Sequence, residues 1–248
     1  MNLRANPRTT PAPAASALGA ALTCVALVLV AVAPSSAAAL EIVVGKPYGS
    51  HRIGHTAVVV QTFDADKVAV YDFGRYGRTW GHLRLHGEGV MRVWRGRRAV
   101  NRYFEKQTSY RDSVGYVIDV PAAIEKRIFN YYEAMLPTAR WKKDYPMHTR
   151  YRLAKDYHGV TNQCTSMALE GLKTQAPSSL WEPLLDTRFN KGQGFDEPTR
   201  AYFFKVQRER GVAETVVPLD VIDAFEHAHK RKIMTIKRVK QYRCRLCR

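Results

Sequence analysis

The strongest constraint on the fold is a pair of apolar, β-branched runs separated by a short polar turn. The runs cover residues 53–62 and 68–73, and the turn covers 64–67. This pattern predicts a β-hairpin. Further runs of the same kind cover 89–94 and 114–120. The first half of the chain is therefore expected to form an antiparallel sheet.

Other apolar residues recur at helical spacing. Helices are predicted at 99–107, from Pro121 to about Leu136, after Cys164, and from Pro218 onward. Pro121 and Pro218 suit the first helical turn, where the N–H that proline lacks would have no partner in any case. Strands that precede helices, with no repeating strand–helix alternation, predict an α+β fold.

The two ends of the chain differ from this central region. Residues 1–39 combine two arginines, an apolar stretch and the small residues 37–39, which is typical of a cleaved signal peptide. The apolar stretch also approaches the length of a membrane span, so an uncleaved anchor is the alternative. Residues 176–248 are expected to be a loop-rich extension, with a long loop or lid over 176–210, one amphipathic helix, an edge strand at 233–239 and a basic tail.

The chain carries a large positive charge. It has 39 Lys and Arg residues against 22 Asp and Glu residues, a formal charge of +17, and without residues 1–39 the charge is still +15. This excess favours an anionic partner. An exported protein would meet cell-wall polymer or lipid head groups, and nucleic acid is not an expected partner. The basic runs at 92–102 and 230–248 are equally well explained as solvated surface.

Cys244 and Cys247 form a Cys-x-x-Cys pair in the basic tail. A thioredoxin-like redox site places such a pair at the start of a helix that follows a strand, which this tail does not provide. A zinc site needs four ligands, and only His227 and His229 lie nearby. A local disulfide is therefore expected, and neither a metal nor a cofactor is predicted.

Cys164 is the main candidate for chemistry. It is the only cysteine between residues 25 and 243, and it stands where a polar loop gives way to a predicted helix. The positive end of the helix macrodipole favours the thiolate and hence nucleophilicity. Free cysteines are also commonly buried as small apolar residues, so the thiol alone does not establish a site.

A nucleophilic thiol needs a base within hydrogen-bond reach. His55 is the first candidate, because an imidazole at the start of an apolar strand is costly unless it is hydrogen bonded or used. His158, six residues before the cysteine, and His51, close to the hairpin, are the alternatives. His82 and His86 lie in a polar loop and are expected at the surface.

Three segments together resemble a known family. Residues 54–60, 71–76 and 157–166 are similar to the circularly permuted branch of the NlpC-type papain-like cysteine hydrolases, which includes lecithin:retinol acyltransferase-like enzymes and bacterial periplasmic domains. The resemblance covers roughly residues 50–175. It implies a papain-like domain over 40–175, in which a central antiparallel sheet packs against a nucleophile-bearing helix and the histidine strand precedes that helix.

The resemblance also implies roles for individual residues. Cys164 would be the nucleophile and His55 the general base and acid. A polar residue on the neighbouring strand would orient the imidazole. If the turn pairs Phe63 with Val68, Val59 lies opposite Asp72 and His55 lies opposite Tyr76.

In that register Asp72 and Tyr76 share the face of His55. Asp72 is then diagonal to the imidazole and Tyr76 directly opposite it. A backbone carbonyl or a water molecule is the alternative orienting group. Thr161 or Asn162 is expected to cap the nucleophile helix, and Asn162 is also a candidate substrate contact.

These features predict an exported cysteine hydrolase that acts by thioester acyl transfer, with a peptide bond of peptidoglycan as the first expectation. The second is an esterase or acyltransferase at a membrane surface, where the basic runs and the four tryptophans would contact lipid, although core positions are expected for the tryptophans. The third is an exported, non-catalytic binding module. A buried Cys164, or a large distance from it to His55, would favour the third.

Overall fold

The computed structural model describes most of the chain beyond the N-terminal segment. The described residues are 38–49, 52–61, 67–81, 85–182, 186–212, 214, 217–232 and 236–247. The segment predicted as a signal peptide therefore lies outside the described residues up to position 37, as do most of the predicted hairpin turn, His51 and His82. No described helix has the length and apolar character needed to cross a bilayer.

An antiparallel sheet of eight described strands forms the centre of the molecule, with the strand order β11-β7-β1-β2-β3-β6-β9-β8. A smaller sheet, with the order β10-β5-β4, lies beside it. The strands are β1 (Ala38–Gly45), β2 (His55–Gln61), β3 (Ala69–Gly74), β4 (Thr79–Trp80), β5 (His86–Gly87), β6 (Val90–Arg95), β7 (Ser113–Val120), β8 (Trp141–Asp144), β9 (Thr149–Arg152), β10 (Tyr157–His158) and β11 (Ile236–Tyr242).

Five described α-helices pack around the large sheet. They are α1 (Arg97–Gln107), α2 (Ala122–Met135), α3 (Cys164–Gln175), α4 (Glu197–Glu209) and α5 (Pro218–Lys230). Two single 3₁₀ turns, at Ser178–Leu180 and Thr187–Phe189, lie between α3 and α4. This mixture of an antiparallel sheet and segregated helices confirms the predicted α+β class.

The period of two in each strand divides the core between the two faces of the sheet. Val58 and Val60 of β2 face α2, α3 and α5, which supply Ile128, Leu172 and Phe225 to one large apolar cluster. The intervening residues of β2 face α1 and join a smaller cluster that includes Trp94 and Tyr103. Both faces of β2 are covered, which explains why it reads as a continuous apolar run rather than an alternating one.

Gly171 fixes how closely α3 approaches α2. A Cβ at this position would lie 2.8 Å from the ring of Tyr132. The Tyr132 hydroxyl accepts the Gly171 N–H at 3.3 Å and donates towards the carbonyls of Met167 and Ala168. The close packing that the glycine predicts is therefore confirmed.

Several sequence-based predictions are corrected by the structure. Strand β1, in the middle of the sheet, was not predicted. No strand was predicted over 138–160, which contains β8, β9 and β10, and 176–210 was expected to be loop but contains α4. Asp196 caps α4 by accepting the Thr199 N–H at 3.0 Å, which is a local signal for a helix start.

The C-terminal extension belongs to the same core and sheet as the rest of the described chain. Helix α5 places Val221, Phe225 and Ala228 in the large apolar cluster, and β11 pairs with β7 as an edge strand. Cys244 and Cys247 form the local disulfide that the spacing predicted. Hydrogen bonds from the tail to residues 108 and 112 dock this disulfide against the segment between α1 and β7.

The tryptophans do not all occupy core positions. Trp94 is buried, but Trp80 on β4 is 42% exposed and Trp141 on β8 is 39% exposed. The expectation of core tryptophans is therefore wrong for these two side chains.

Candidate active site

Cys164 is the first residue of α3, and its neighbours cap the helix. Gln163 is the N-cap residue, with its side-chain oxygen 2.9 Å from the Thr165 N–H, and Ser166 Oγ accepts the Gln163 N–H at 2.8 Å. This reciprocal capping satisfies two of the N–H groups that a helix start leaves free. The cap is thus Gln163, and neither Thr161 nor Asn162 as predicted.

The thiol is buried, with an exposed fraction of 3%, but it has polar neighbours on several sides. The Thr56 N–H, the Thr165 hydroxyl and the His55 imidazole all interact with it. Burial alone would raise the pKa of Cys164, but the charge and hydrogen bond of His55, with the smaller contributions of the two threonines, lower it. The Thr56 and Thr165 hydroxyls are 2.9 Å apart, which ties β2 to α3 at this point.

His55 is the first residue of β2 and lies between the thiol and a carboxylate. Its Nε2 is 2.6 Å from Asp72 Oδ1, which leaves Nδ1 as the ring nitrogen for the thiol. Burial acts to lower the pKa of His55, but the carboxylate of Asp72 and the Cys164 thiolate outweigh it and raise the pKa to about 9. The site therefore favours a thiolate–imidazolium pair.

Asp72 is fully buried and holds its charge because it is multiply bonded. Arg92 Nη2 donates to Oδ2 at 2.5 Å, and the Tyr76 hydroxyl donates to Oδ1 at 2.6 Å. Burial would raise the pKa of Asp72, but Arg92 and His55 lower it well below its usual range. The Arg92 guanidinium also lies over the Tyr76 ring, 3.7 Å from the centroid, which fixes all three groups.

The pairing register of β2 and β3 differs from the prediction by two residues. Val59 lies opposite Val70, not Asp72. A shift of two keeps every side chain on its predicted face, whereas a shift of one would have reversed it. Both Asp72 and Tyr76 consequently still reach the imidazole, Tyr76 with its hydroxyl 3.2 Å from Nε2. Asp72 makes the shorter contact.

Gly54 sets the position of His55 at the start of its strand. Its φ is +80°, in the left-handed region that side chains rarely adopt, and a Cβ there would collide with the Gly45 carbonyl. The backbone before His55 therefore requires glycine at position 54, which explains the Gly-His pair in the sequence motif.

A cleft of about 560 Å³ opens onto these groups. Cys164, His55 and Tyr76 lie in its wall, and Arg52, Arg75, Arg92, Lys106 and Arg111 make it basic against the single carboxylate of Asp196. One side is formed by residues 194–196 of the segment predicted as a lid. Asp220 holds the base of this loop, since its carboxylate accepts the N–H groups of residues 191, 192 and 193.

The other predicted site residues lie elsewhere. His158 accepts the N–H groups of Val160 and Thr161 through Nδ1 and packs edge-on against His86, so it is a loop-stabilising residue and not the base. Asn162 donates to the Asp156 carbonyl at 2.5 Å and lines a separate cavity. Asn162 does not line the Cys164 cleft, and its role as a substrate contact stays a prediction.

Sequence reasoning missed Arg92 and Arg111. Arg92 was assigned to a basic run that solvation would explain, but it is buried and directly opposite Asp72 in the β3–β6 ladder. The signal was present, because Arg92 lies between Met91 and Val93 in a strand whose neighbours are apolar. A lone cation in such a strand requires an acidic partner.

In comparisons with known proteins, no family model, no curated protein and no solved structure matched this chain. Within the described residues, no three His, Cys, Asp or Glu side chains are grouped to hold a metal ion. In this site the Cys164 thiol, the His55 imidazole and the buried Asp72 carboxylate follow one another, each in contact with the next. Such a series can form and stabilise an acyl-thioester.

Proposed function

We propose that the protein is a cysteine hydrolase of the circularly permuted, papain-like type, which cleaves an amide bond through an acyl-thioester. The observation that carries the proposal is the placement of His55 between Cys164 and Asp72 at a cleft. The histidine strand β2 precedes the nucleophile helix α3, and this order is that of the permuted branch.

The chemistry follows from the geometry. The Cys164 thiolate attacks the carbonyl carbon of the substrate, and protonated His55 gives its proton to the leaving amine. The N–H groups at the start of α3, including that of Cys164, supply an oxyanion site. A water molecule, deprotonated by His55, then releases the acid and restores the thiol. Asp72 keeps the imidazole oriented and stabilises its charge throughout.

The substrate is proposed to be a peptide of the cell wall, met after export. A net charge of +17 and the basic lining of the cleft suit an anionic polymer. The exposed Trp80 lies on β4, which pairs with β5 beside the cleft residue Leu85. This side chain favours, as a second candidate, an ester bond of a lipid at a membrane surface.

A non-catalytic binding module is less well supported, although the thiol is buried. A cysteine that only fills a core lies in apolar surroundings, which raise its pKa. Here an imidazole and two threonines lower the pKa of Cys164, and the residue lines an open cleft. Such surroundings are typical of a nucleophile.

The test is incubation of purified protein with isolated sacculi, followed by detection of new amino termini. We expect release by the wild type and none by Cys164→Ala, while Ser178→Ala, outside the cleft, keeps full activity. A fluorescent phospholipid ester is assayed in parallel. Turnover of the ester without release from sacculi would replace the amidase proposal with the lipid one, and inactivity on both would refute catalysis on either substrate.

A further inference from the structure

Besides the guanidinium of Arg92, the cleft contains a second buried guanidinium. Arg111 lies between α1 and β7, is only 7% exposed and lines the cleft. Its Nε and Nη1 atoms are buried and have no hydrogen-bond partner, and no described carboxylate forms an ion pair with it. An unpaired guanidinium that is removed from water is costly, so its retention requires an explanation.

Arg111 is close to the catalytic pair. Gly45, the last residue of β1, pairs directly with His55 in the β1–β2 ladder. A Cβ on Gly45 would lie 2.6 Å from Arg111 Cδ, so the arginine occupies the space above this glycine. Directly opposed residues of an antiparallel pair direct their side chains to the same face. Arg111 and His55 therefore lie on one face, one strand apart.

Two aromatic rings hold the guanidinium in place. Its carbon is 4.6 Å from the Tyr48 ring centroid and 4.9 Å from the Tyr110 centroid, and both tyrosines line the cleft. Cation–π contacts stabilise the charge through the face of the guanidinium. Arg111 also hydrogen bonds with the Tyr110 side chain, and its buried Nε and Nη1 N–H groups are left for an anion. We call Tyr48, Tyr110 and Arg111 the arginine cage.

We propose that the arginine cage binds a carboxylate of the substrate next to the bond that Cys164 attacks. This rests on the proposed function and narrows it to peptides that carry a free carboxylate. A carboxylate neutralises the charge of Arg111 and forms charge-assisted hydrogen bonds with its guanidinium. An extended peptide can enter the cleft and reach a side chain in its wall that is only 7% exposed. A lipid head group held in a flat bilayer cannot reach it.

The carboxyl of Asp196 does not already fill this role. It lies in the same cleft, but it accepts the Thr199 N–H at 3.0 Å as the cap of α4. Lys106 and Arg52, also in the lining, add to the positive potential and would attract the anion before it reaches the cage.

The test uses a matched pair of tripeptides, acetyl-Ala-Glu-Ala-amide and its Gln counterpart, as protectors of Cys164 against iodoacetamide. Alkylation is followed by mass spectrometry of the Cys164 peptide in the full chain. We expect the acid to protect the wild type at a concentration roughly 10- to 100-fold below that of the amide, the range of one charge-assisted hydrogen bond. Arg111→Met should reduce the ratio to about one, while Lys126→Met, an exposed charge on α2, should keep it.

Equal protection by the two peptides in the wild type would overturn the proposal, and this result does not depend on whether any variant folds. Protection by glycerol phosphate at lower concentrations than the acid peptide, lost in Arg111→Met, would also overturn it and assign a phosphate ligand. Sacculi are digested in parallel. If the acid peptide protects selectively but sacculi are not digested, the carboxylate-binding proposal stands and the amidase proposal is refuted. If sacculi are digested but the two peptides protect equally, the amidase proposal stands and the carboxylate-binding proposal is refuted.

Discussion

At the scale of single residues, the site is a chain of charges that stabilise one another. Arg92 lowers the pKa of Asp72, Asp72 raises that of His55, and His55 lowers that of Cys164. Each group is buried, so each would lose its charge in isolation. The reactivity of the thiol therefore depends on a residue three contacts away.

The pH dependence of alkylation should show this coupling. The pKa of Cys164 is lowered and that of His55 is raised to about 9, so the ion pair forms at a lower pH than an unassisted thiol would allow and persists to about pH 9. We expect rapid reaction with iodoacetamide at pH 6 and, for hydrolysis, a decline above about pH 9 as the imidazole loses the proton that the leaving amine needs. In His55→Gln the reaction at pH 6 should slow roughly 10- to 100-fold, because an unassisted thiol titrates near 8.5. His229→Gln, an exposed histidine on α5, is the control, and an equal effect of both variants would contradict the pairing.

Asp72→Asn should separate charge from shape. The variant keeps the size of the side chain but removes the charge that raises the pKa of His55. The pH above which hydrolysis declines should therefore fall by about one to two units. Hydrolysis should fall roughly 10²- to 10⁴-fold, since the imidazole loses its orienting partner. Arg92 is left buried without a counter-charge, and the free energy of unfolding should decrease by about 3–5 kcal/mol.

Tyr76→Phe is the matched control for Asp72→Asn, because it removes the hydroxyl that contacts Asp72, Arg92 and His55 but removes no charge. We expect less than a tenfold loss of activity and about 1 kcal/mol of stability. Steady-state kinetics across pH and urea unfolding measure both quantities. A larger effect of Tyr76→Phe than of Asp72→Asn would make the tyrosine the orienting residue.

At the scale of elements, the sequence was most informative where one pattern governed a whole strand or helix. The apolar runs of β2, β3, β6 and β7 and the start of α3 were predicted close to their observed positions. The register of β2 against β3 was not, because it depends on the turn between them. The predicted register differs from the observed one by two residues, an even number, and the Asp72 side chain therefore lies on the predicted face of the sheet.

Elements defined by distant contacts were missed. Strand β1 follows directly on the predicted signal segment, and nothing local separates its apolar residues from those that precede it. Strands β8 and β9 are short and polar; β9 pairs with β6, more than forty residues away, and β8 pairs with β9. Arg111 could not be assigned from the sequence because its cage depends on Gly45 and Tyr48, which only the sheet brings to it.

The contact of α3 with α2 gives a prediction at the same scale. In Gly171→Ala the new Cβ would meet the Tyr132 ring at 2.8 Å and displace α3, which carries Cys164 at its start. We expect a loss of stability of about 1–3 kcal/mol from overpacking. Alkylation of Cys164 should slow as well, since the thiol moves from His55. Thr174→Ala, on the exposed face of α3, should change stability by less than about 0.5 kcal/mol. Normal alkylation in a destabilised Gly171→Ala would show that the helix start is fixed independently of this contact.

At the scale of the whole molecule, the two ends of the described chain complete one sheet. Strand β1 lies between β2 and β7, and β11 closes the outer edge of β7. Residues that are far apart in sequence therefore meet at the cleft: Gly45 from β1, His55 from β2, and Arg111 from the segment before β7. Loss of stability anywhere along this set of strands should also reduce the reactivity of Cys164.

Glu125 gives the global stability a pH dependence that is independent of the cleft. Its carboxylate on α2 is fully buried, and its oxygens make no hydrogen bond of normal geometry, the Gln61 backbone N–H being a weaker contact. Burial raises the pKa of Glu125 from 4.5 to about 7, against a smaller opposing effect of the Gln61 backbone. Between these pH values the folded protein binds a proton that the unfolded chain has released. The contribution to stability is thus complete below about pH 4.5 and is lost as the pH rises through 7, by up to about 3 kcal/mol.

Glu125→Gln removes this titration while keeping the shape of the side chain. Stability relative to wild type should therefore increase from pH 4.5 to pH 7 and stay constant above it. His55 also has a raised pKa and contributes stability that is lost as the pH rises through about 9, but both proteins share that term and it cancels in the difference. Urea unfolding at half-unit pH intervals gives the difference curve directly. A flat curve across this window would show that Glu125 is ionised at its ordinary pKa in the folded protein, and that the core of α2 therefore accommodates a charge without a partner.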